Sequence, residues 1–296
     1  MTVQWEGVMP ATTTAFDEDY NIDHGFIAEH ARWLIENGCT ALVPHGSLGE
    51  GATLSFREKV ELQQTYVKAA GEIPVIPGIA ALSTKEAIEM ARAAEENGCR
   101  GLMVLPPYVY CSDWREMKSH VASVISATNL PCMLYNNPVA YGTDFTPAYI
   151  KELADEHPNL QAVKESSGDV RRVAAILERC GDRLTVGVGL DDYSLEGATM
   201  GAKFWIAGVV NALPKESVKL WKLGRAGKLE EAMPLYRGLL PLLRMDTEVK
   251  FVQLIKLIQS HLGRGNIRVR PPRLELEGQE LESAESTICK VLENQT

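Results

Sequence analysis

The sequence predicts an α/β fold, a (β/α)8 TIM barrel with a C-terminal helical extension. Three observations point there. Eight short apolar runs recur along the 296 residues; they are near-continuous rather than alternating; and amphipathic helical stretches fill the intervals. Parallel strands covered on both faces need unbroken apolar runs, because neither face meets water. A spacing of roughly 30 residues per strand and helix unit matches a closed barrel.

The runs lie at residues 7–12, 41–45, 74–79, 101–106, 132–136, 161–164, 185–188 and 204–208. Helical patterns separate them at 55–70, 84–97 and 169–180. Glu36-Asn37-Gly38-Cys39 and Glu96-Asn97-Gly98-Cys99 each end a helix with a glycine beyond its last turn and open the next strand, and Met200-Gly201-Ala202 repeats the device. A doubly wound open sheet is the alternative. No GxGxxG follows the first strand, and Gly187-Val188-Gly189-Leu190-Asp191-Asp192 lacks the third glycine of that fingerprint. Gly224-Arg225-Ala226-Gly227-Lys228 is not a phosphate loop either, since Leu229 stands where Ser or Thr belongs. Residues 1–213 are therefore assigned to the barrel core. Residues 214–296 form its last helix and an extension of the same domain, with helices over 229–244 and 247–262 that cap the barrel or meet another subunit.

Composition excludes several classes. Lys and Arg total 30 against 39 Asp and Glu, a net charge of −9, and no basic cluster interleaves with aromatics, so nucleic acid is not an expected partner. No apolar run of ~18 residues occurs, and the amino terminus shows no basic patch followed by an apolar stretch, so neither membrane insertion nor export is expected and the assignment is cytoplasmic. The six cysteines are scattered without a CxxC pair, and the six histidines form neither HxxxH nor HExxH. Reduced thiols and no protein-bound metal are expected.

In a (β/α)8 barrel the chemistry sits at the carboxyl ends of the strands, so polar residues there need explaining. Lys164 ends the run Leu160-Gln161-Ala162-Val163 and precedes Glu165-Ser166-Ser167. An ammonium in apolar surroundings loses hydration, its pKa falls, and the neutral amine can attack a carbonyl carbon to form a Schiff base; a lysine that snorkels from the strand to solvent is the plain alternative. Tyr135 ends the fifth run in Tyr135-Asn136-Asn137-Pro138, where a hydroxyl beside such a lysine can carry protons to and from the carbinolamine. The second run leads into His45-Gly46-Ser47-Leu48-Gly49-Glu50-Gly51, whose glycines around Ser47 let backbone N–H groups converge on a carboxylate, or simply make a tight turn. The expected catalytic set is Lys164, Tyr135 and Ser47. The expected substrate contacts are Leu48, Gly49, Gly208, Asn137, Tyr141 and His45, the last two weighed equally as packing.

Gly46-Ser47-Leu48-Gly49-Glu50, Tyr135-Asn136-Asn137-Pro138 and Val163-Lys164-Glu165-Ser166-Ser167, in this order over nearly the whole chain, resemble the signature set of the dihydrodipicolinate synthase and N-acetylneuraminate lyase family. The resemblance implies a TIM barrel, a tetramer built from dimers, and a Schiff base between Lys164 and a small 2-oxo acid such as pyruvate, with no external cofactor. It also implies that Tyr135 relays protons and that Ser47 and the Leu48 backbone hold the substrate carboxylate. Two departures narrow the activity. The synthases carry an arginine shortly after the YN(V/N)P motif, where this chain has Val139-Ala140-Tyr141; and a second tyrosine after the fourth strand, where the register offers Val109 between Tyr108 and Tyr110. SLGEGATLS, YNNPVAYGTDFTP and VKESSGDVRRV are most similar to members that deaminate 1-pyrroline-4-hydroxy-2-carboxylate to 2-oxoglutarate semialdehyde. A 2-oxo-3-deoxy sugar acid dehydratase, an aldolase and dihydrodipicolinate synthase itself use the same lysine. A non-catalytic 2-oxo acid-binding regulator would lack Lys164 or Tyr135.

Overall fold

A computed structural model describes residues 3–293. Seven parallel strands form one curled sheet: β1 (Gly7–Pro10), β2 (Gly78–Ile79), β3 (Leu102–Val104), β4 (Cys132–Asn136), β5 (Leu160–Glu165), β6 (Thr185–Val188) and β7 (Phe204–Ala207), in the order β1-β7-β6-β5-β4-β3-β2. The sequence predicts eight strands, and here it over-reads one. The run at 41–45 forms only isolated bridges, Ala11 to Val43 and Leu42 to Val75. Its backbone still hydrogen-bonds to both edges, Val43 N–H to Pro10 (2.9 Å) and Leu42 N–H to Pro74 (2.9 Å). Pro44 has no N–H to extend a ladder, and His45 turns left-handed at φ 66°, so the strand cannot lengthen.

Apolar residues divide into two layers. Met9, Met103, Met133, Tyr135, Ala162, Phe204 and Ile206 point to the inside of the curled sheet, while Val8, Leu102, Leu134, Val163 and Trp205 pack under the helices. Period-two alternation within each strand sets this division. It carries Lys164, two residues beyond Ala162, to the inside.

The surrounding helices begin where side chains satisfy their first N–H groups. Ser55 and Glu58 make a reciprocal capping box on Phe56–Ala70, and Asp113 and Thr146 cap Trp114–Ser126 and Pro147–Glu156. Among the described residues three helices follow the helix Pro214–Arg225: Leu229–Met245, Phe251–His261 and Gly278–Glu293. The last residues of the expected extension, 294–296, lie outside the described residues. This extension is bound to the loop after the 41–45 run. Lys256, on Phe251–His261, reaches Glu50 at 2.6 Å with both side chains buried, and Glu50 also accepts the Arg270 backbone N–H at 2.9 Å. A desolvated pair of this kind holds register, because losing either partner strands a buried charge. No helix among the described residues is long and apolar enough to cross a membrane.

Candidate active site

Tyr135 and Lys164 are register partners on adjacent strands β4 and β5. Parallel partners present their side chains to the same face, so the tyrosine ring lies beside the amine: Lys164 Nζ is 3.9 Å from its centroid. The strand end is fixed from behind. The Glu165 carboxylate accepts Asn136 Nδ2 (2.9 Å) and the Ser167 N–H (2.6 Å), and its backbone carbonyl accepts the Tyr193 hydroxyl (2.7 Å). A ligand-sized cavity of about 320 Å³ opens over Lys164, and Ser47, Leu48, Tyr135, Asn137 and Gly208 line it.

Burial decides the chemistry of the two central groups. Lys164 is 5% exposed, and desolvation lowers its pKa from 10.5 to about 8, against the opposing charges of Asp246 and Asp191. A fall of that size raises the neutral fraction near pH 7 by a factor of roughly 300. Burial pushes the Tyr135 hydroxyl up to about 12, and it accepts a hydrogen bond from Asn137 Nδ2 at 3.2 Å. The phenol therefore stays protonated beside an amine that is ready to lose its proton.

Gly189 is a position in this site where only a hydrogen fits beside the amine. A Cβ there would lie 2.1 Å from Lys164 Cε and 2.2 Å from Ser166 Oγ. Gly189→Ala should leave the fold intact, since both atoms end flexible side chains, but swing the amine aside. Turnover should drop by about tenfold or more, read by steady-state kinetics against an unchanged melting temperature. An unaltered rate would show that the lysine has room to spare.

Several expected residues lie elsewhere. His45 is 1% exposed beneath the loop, outside the cavity lining, with neither ring nitrogen hydrogen-bonded and burial lowering its pKa to about 3. Gly49 also sits outside the lining, where a Cβ would meet the Thr12 carbonyl at 2.8 Å. Tyr141 ends the short helix Pro138–Tyr141, which Asn137 caps through the Ala140 N–H (3.0 Å); its hydroxyl hydrogen-bonds Ser47 Oγ, and it lines a neighbouring cavity with Tyr108. Of the two tyrosines flanking Val109, Tyr108 comes within 5.8 Å of the Tyr141 ring, while Tyr110 bonds Glu116 at the surface (2.8 Å). Val109 itself is 95% exposed at φ 72°, a costly conformation for a β-branched residue.

The sequence reading missed two carboxylates, Asp191, which is buried, and Asp246, which is half-buried. Asp191 accepts Trp205 Nε1 (2.9 Å), the Gly208 N–H (3.0 Å) and the Val209 N–H (2.7 Å). Asp246, just past Leu229–Met245, reaches the same cavity from the C-terminal extension. Its signal was weak: one acidic residue at the end of an amphipathic helix. Asp191 lay in a run read only for its glycines. Among the described residues no cluster of three His, Cys, Asp or Glu side chains is placed to hold a metal ion.

Residues 4–291 match the dihydrodipicolinate synthetase family. The chain belongs to that family. It is a Schiff-base lyase, and family members work through a covalent lysine adduct without an external cofactor. Curated 4-hydroxy-tetrahydrodipicolinate synthases are similar to it along almost its full length: that of Haloarcula marismortui is 31% identical over 97% of this chain and 94% of its own, and that of Archaeoglobus fulgidus 30% over 96% and 97%. Among solved structures, the 4-hydroxy-tetrahydrodipicolinate synthase of Methylacidiphilum fumariolicum aligns with TM-score 0.93 at 28% identity, covering 98% of this chain and 97% of that one. YagE, a prophage protein of the same family from Escherichia coli in complex with pyruvate, aligns with TM-score 0.91 at 26% identity, covering 97% and 99%.

Proposed function

We propose that this lyase takes a small 2-oxo acid or its cyclic imine onto Lys164 and carries the adduct to elimination, with 1-pyrroline-4-hydroxy-2-carboxylate as substrate and 2-oxoglutarate semialdehyde and ammonia as products. The observation that carries this reading is the charge of the cavity wall: among the described residues its lining holds one cation, Lys164, two carboxylates, Asp246 and Glu248, and no arginine. Val139 and Ala140 occupy the stretch where a guanidinium would bind a second substrate carboxylate. A wall that is net acidic suits a substrate with one carboxylate, held at the Ser47–Leu48 turn, better than a pair of substrates carrying two.

The residues then have definite tasks. Neutral Lys164 attacks C2, and Tyr135 shuttles the protons as the C2–N bond of the ring breaks, leaving an iminium on Lys164 and a primary amine on C5. The iminium acidifies C3, and the resulting enamine expels the C4 hydroxyl. Loss of a proton from C5 and gain of one at C3 shift the C3=C4 bond to C4=C5, and the resulting enamine passes its N–H proton to C4 to give an imine at C5. Hydrolysis of that imine and of the Lys164 iminium takes up two waters against the one expelled, and releases ammonia and the product.

One finding favours a second reading: the curated relatives are named 4-hydroxy-tetrahydrodipicolinate synthases. That reaction joins pyruvate to aspartate semialdehyde on the same lysine. A side-by-side assay separates the two readings. Elimination predicts rapid ammonia release from the pyrroline and poor condensation, since loss of one charge-assisted contact of roughly 1.5–3 kcal/mol lowers affinity by an order of magnitude or more. Condensation at the rate of a dedicated synthase without ammonia release would establish the second reading and overturn the first.

A further inference from the structure

A hydroxyl is a poor leaving group, and its departure from C4 needs a proton. Tyr135 is engaged at C2 beside Lys164, so the question is what else in the cavity can supply one. Asp246 lines the same cavity, although it enters from the opposite end of the chain. Its carboxyl lies on the bare backbone of Gly208 at the end of β7: a Cβ on that glycine would stand 2.2 Å from Asp246 Oδ1 and 3.4 Å from Asp191 Oδ2. Gly208 thus makes room for a carboxyl group in the cavity that holds the amine, and among opposing charges Asp246 acts most strongly on Lys164.

The two carboxylates are not equivalent. Burial raises the Asp191 pKa to about 7, but its three N–H donors, from Trp205, Gly208 and Val209, pull it back toward the ionised form. Asp246 is half-buried and borders the cavity, and the Asp191 backbone N–H lowers its pKa less than burial raises it. Desolvation first, and then the negative charge of Asp191, hold its pKa well above the usual carboxylate range, with Lys164 opposing. Once Lys164 has become an adduct, its protonated iminium loses that charge on passing to the enamine, and the opposing influence weakens at the moment a proton donor is needed.

Resting on the elimination reading, we infer that Asp246 is a catalytic residue: protonated, it gives its proton to the C4 hydroxyl as that group leaves. The electrons balance within the adduct. The enamine nitrogen pair restores the C=N bond to Lys164, the C2=C3 pair becomes the C3=C4 bond, and the C4–O bond breaks with both electrons going to oxygen. That oxygen takes the Asp246 proton and departs as water; solvent later reprotonates the carboxylate.

The test compares leaving groups. Asp246→Asn keeps shape and polarity but cannot donate an acidic proton. With 1-pyrroline-4-hydroxy-2-carboxylate its single-turnover rate should fall about 10²-fold, whereas the 4-chloro analogue, whose chloride leaves unprotonated, should react within about threefold of the wild-type rate. Equal losses on both substrates would assign Asp246 a structural role, and no loss on either would assign the proton to another group; each overturns the inference. Should the asparagine variant fail to fold by circular dichroism, Asp246→Ser supplies the same contrast, and in wild type a solvent deuterium isotope effect confined to the hydroxy substrate reads the same proton. Failure of the underlying reading looks different: wild-type enzyme would then release no ammonia from either pyrroline.

Discussion

Lys164→Ala should abolish covalent capture of pyruvate under borohydride and lower turnover by roughly 10⁴-fold or more, because no other amine among the described residues lines the cavity. In the wild type one reduced three-carbon adduct per chain should map by peptide mass to Lys164. The pH dependence follows from the shift. The reactive form is the neutral amine, so the rate of adduct formation should rise with pH and level off above about 8, rather than near the 10.5 of an unburied lysine. The variant should remain folded: Asp191 keeps its Trp205, Gly208 and Val209 donors, and Glu165 keeps the contacts that anchor the end of β5. Adduct at another lysine, or a plateau near 10.5, would remove the central claim about this site.

Much of that site was legible in the sequence because its parts are local. An apolar run that ends abruptly in lysine, or in tyrosine and two asparagines, announces a strand terminus without any knowledge of what lies beside it. Adjacency is another matter. That Tyr135 and Lys164 share a register, and that Gly187 and Gly189 are bare because Phe204 and Lys164 need the space, follows from strand pairing that no local pattern encodes. The glycines of 187–192 invited comparison with a nucleotide loop for that reason. The 41–45 run shows the opposite error: its composition reads as strand, but Pro44 and left-handed His45 remove the donor and the dihedral that pairing requires. Long-range partners were hidden altogether. Glu50 meets Lys256 across 206 positions, and Asp246 reaches a cavity shared with a lysine far upstream, because the C-terminal helices fold back over the loop that follows the 41–45 run. Read alone, those helices suggested a brace or a subunit contact; their place at the cavity adds a third use.

Tyr135→Phe should separate capture from turnover. The ring beneath Lys164 survives the substitution, so the 3.9 Å cation contact and the packing against Tyr141 (5.6 Å, edge to face) persist, and so does the desolvation that lowers the amine's pKa. Only the hydroxyl is lost, together with the hydrogen bond it accepts from Asn137. Pyruvate capture should therefore reach the same final extent, though more slowly. Turnover demands more, because proton transfers at the carbinolamine recur in forming the adduct and again in its hydrolysis. A phenol held at about 12 donates to a departing oxygen at any physiological pH and, once ionised, is basic enough to recover the proton. Loss of a group used at several steps places the expected fall at about 10²-fold or beyond, toward the upper part of the range for a single acid–base residue. Asn137→Ala, which removes the bond but leaves the hydroxyl, should cost far less. Comparing the final adduct mass with steady-state rates for the two variants distinguishes a relay from a packing residue: a packing role would lower capture and turnover together, and a tyrosine with no part in proton transfer would leave both unchanged.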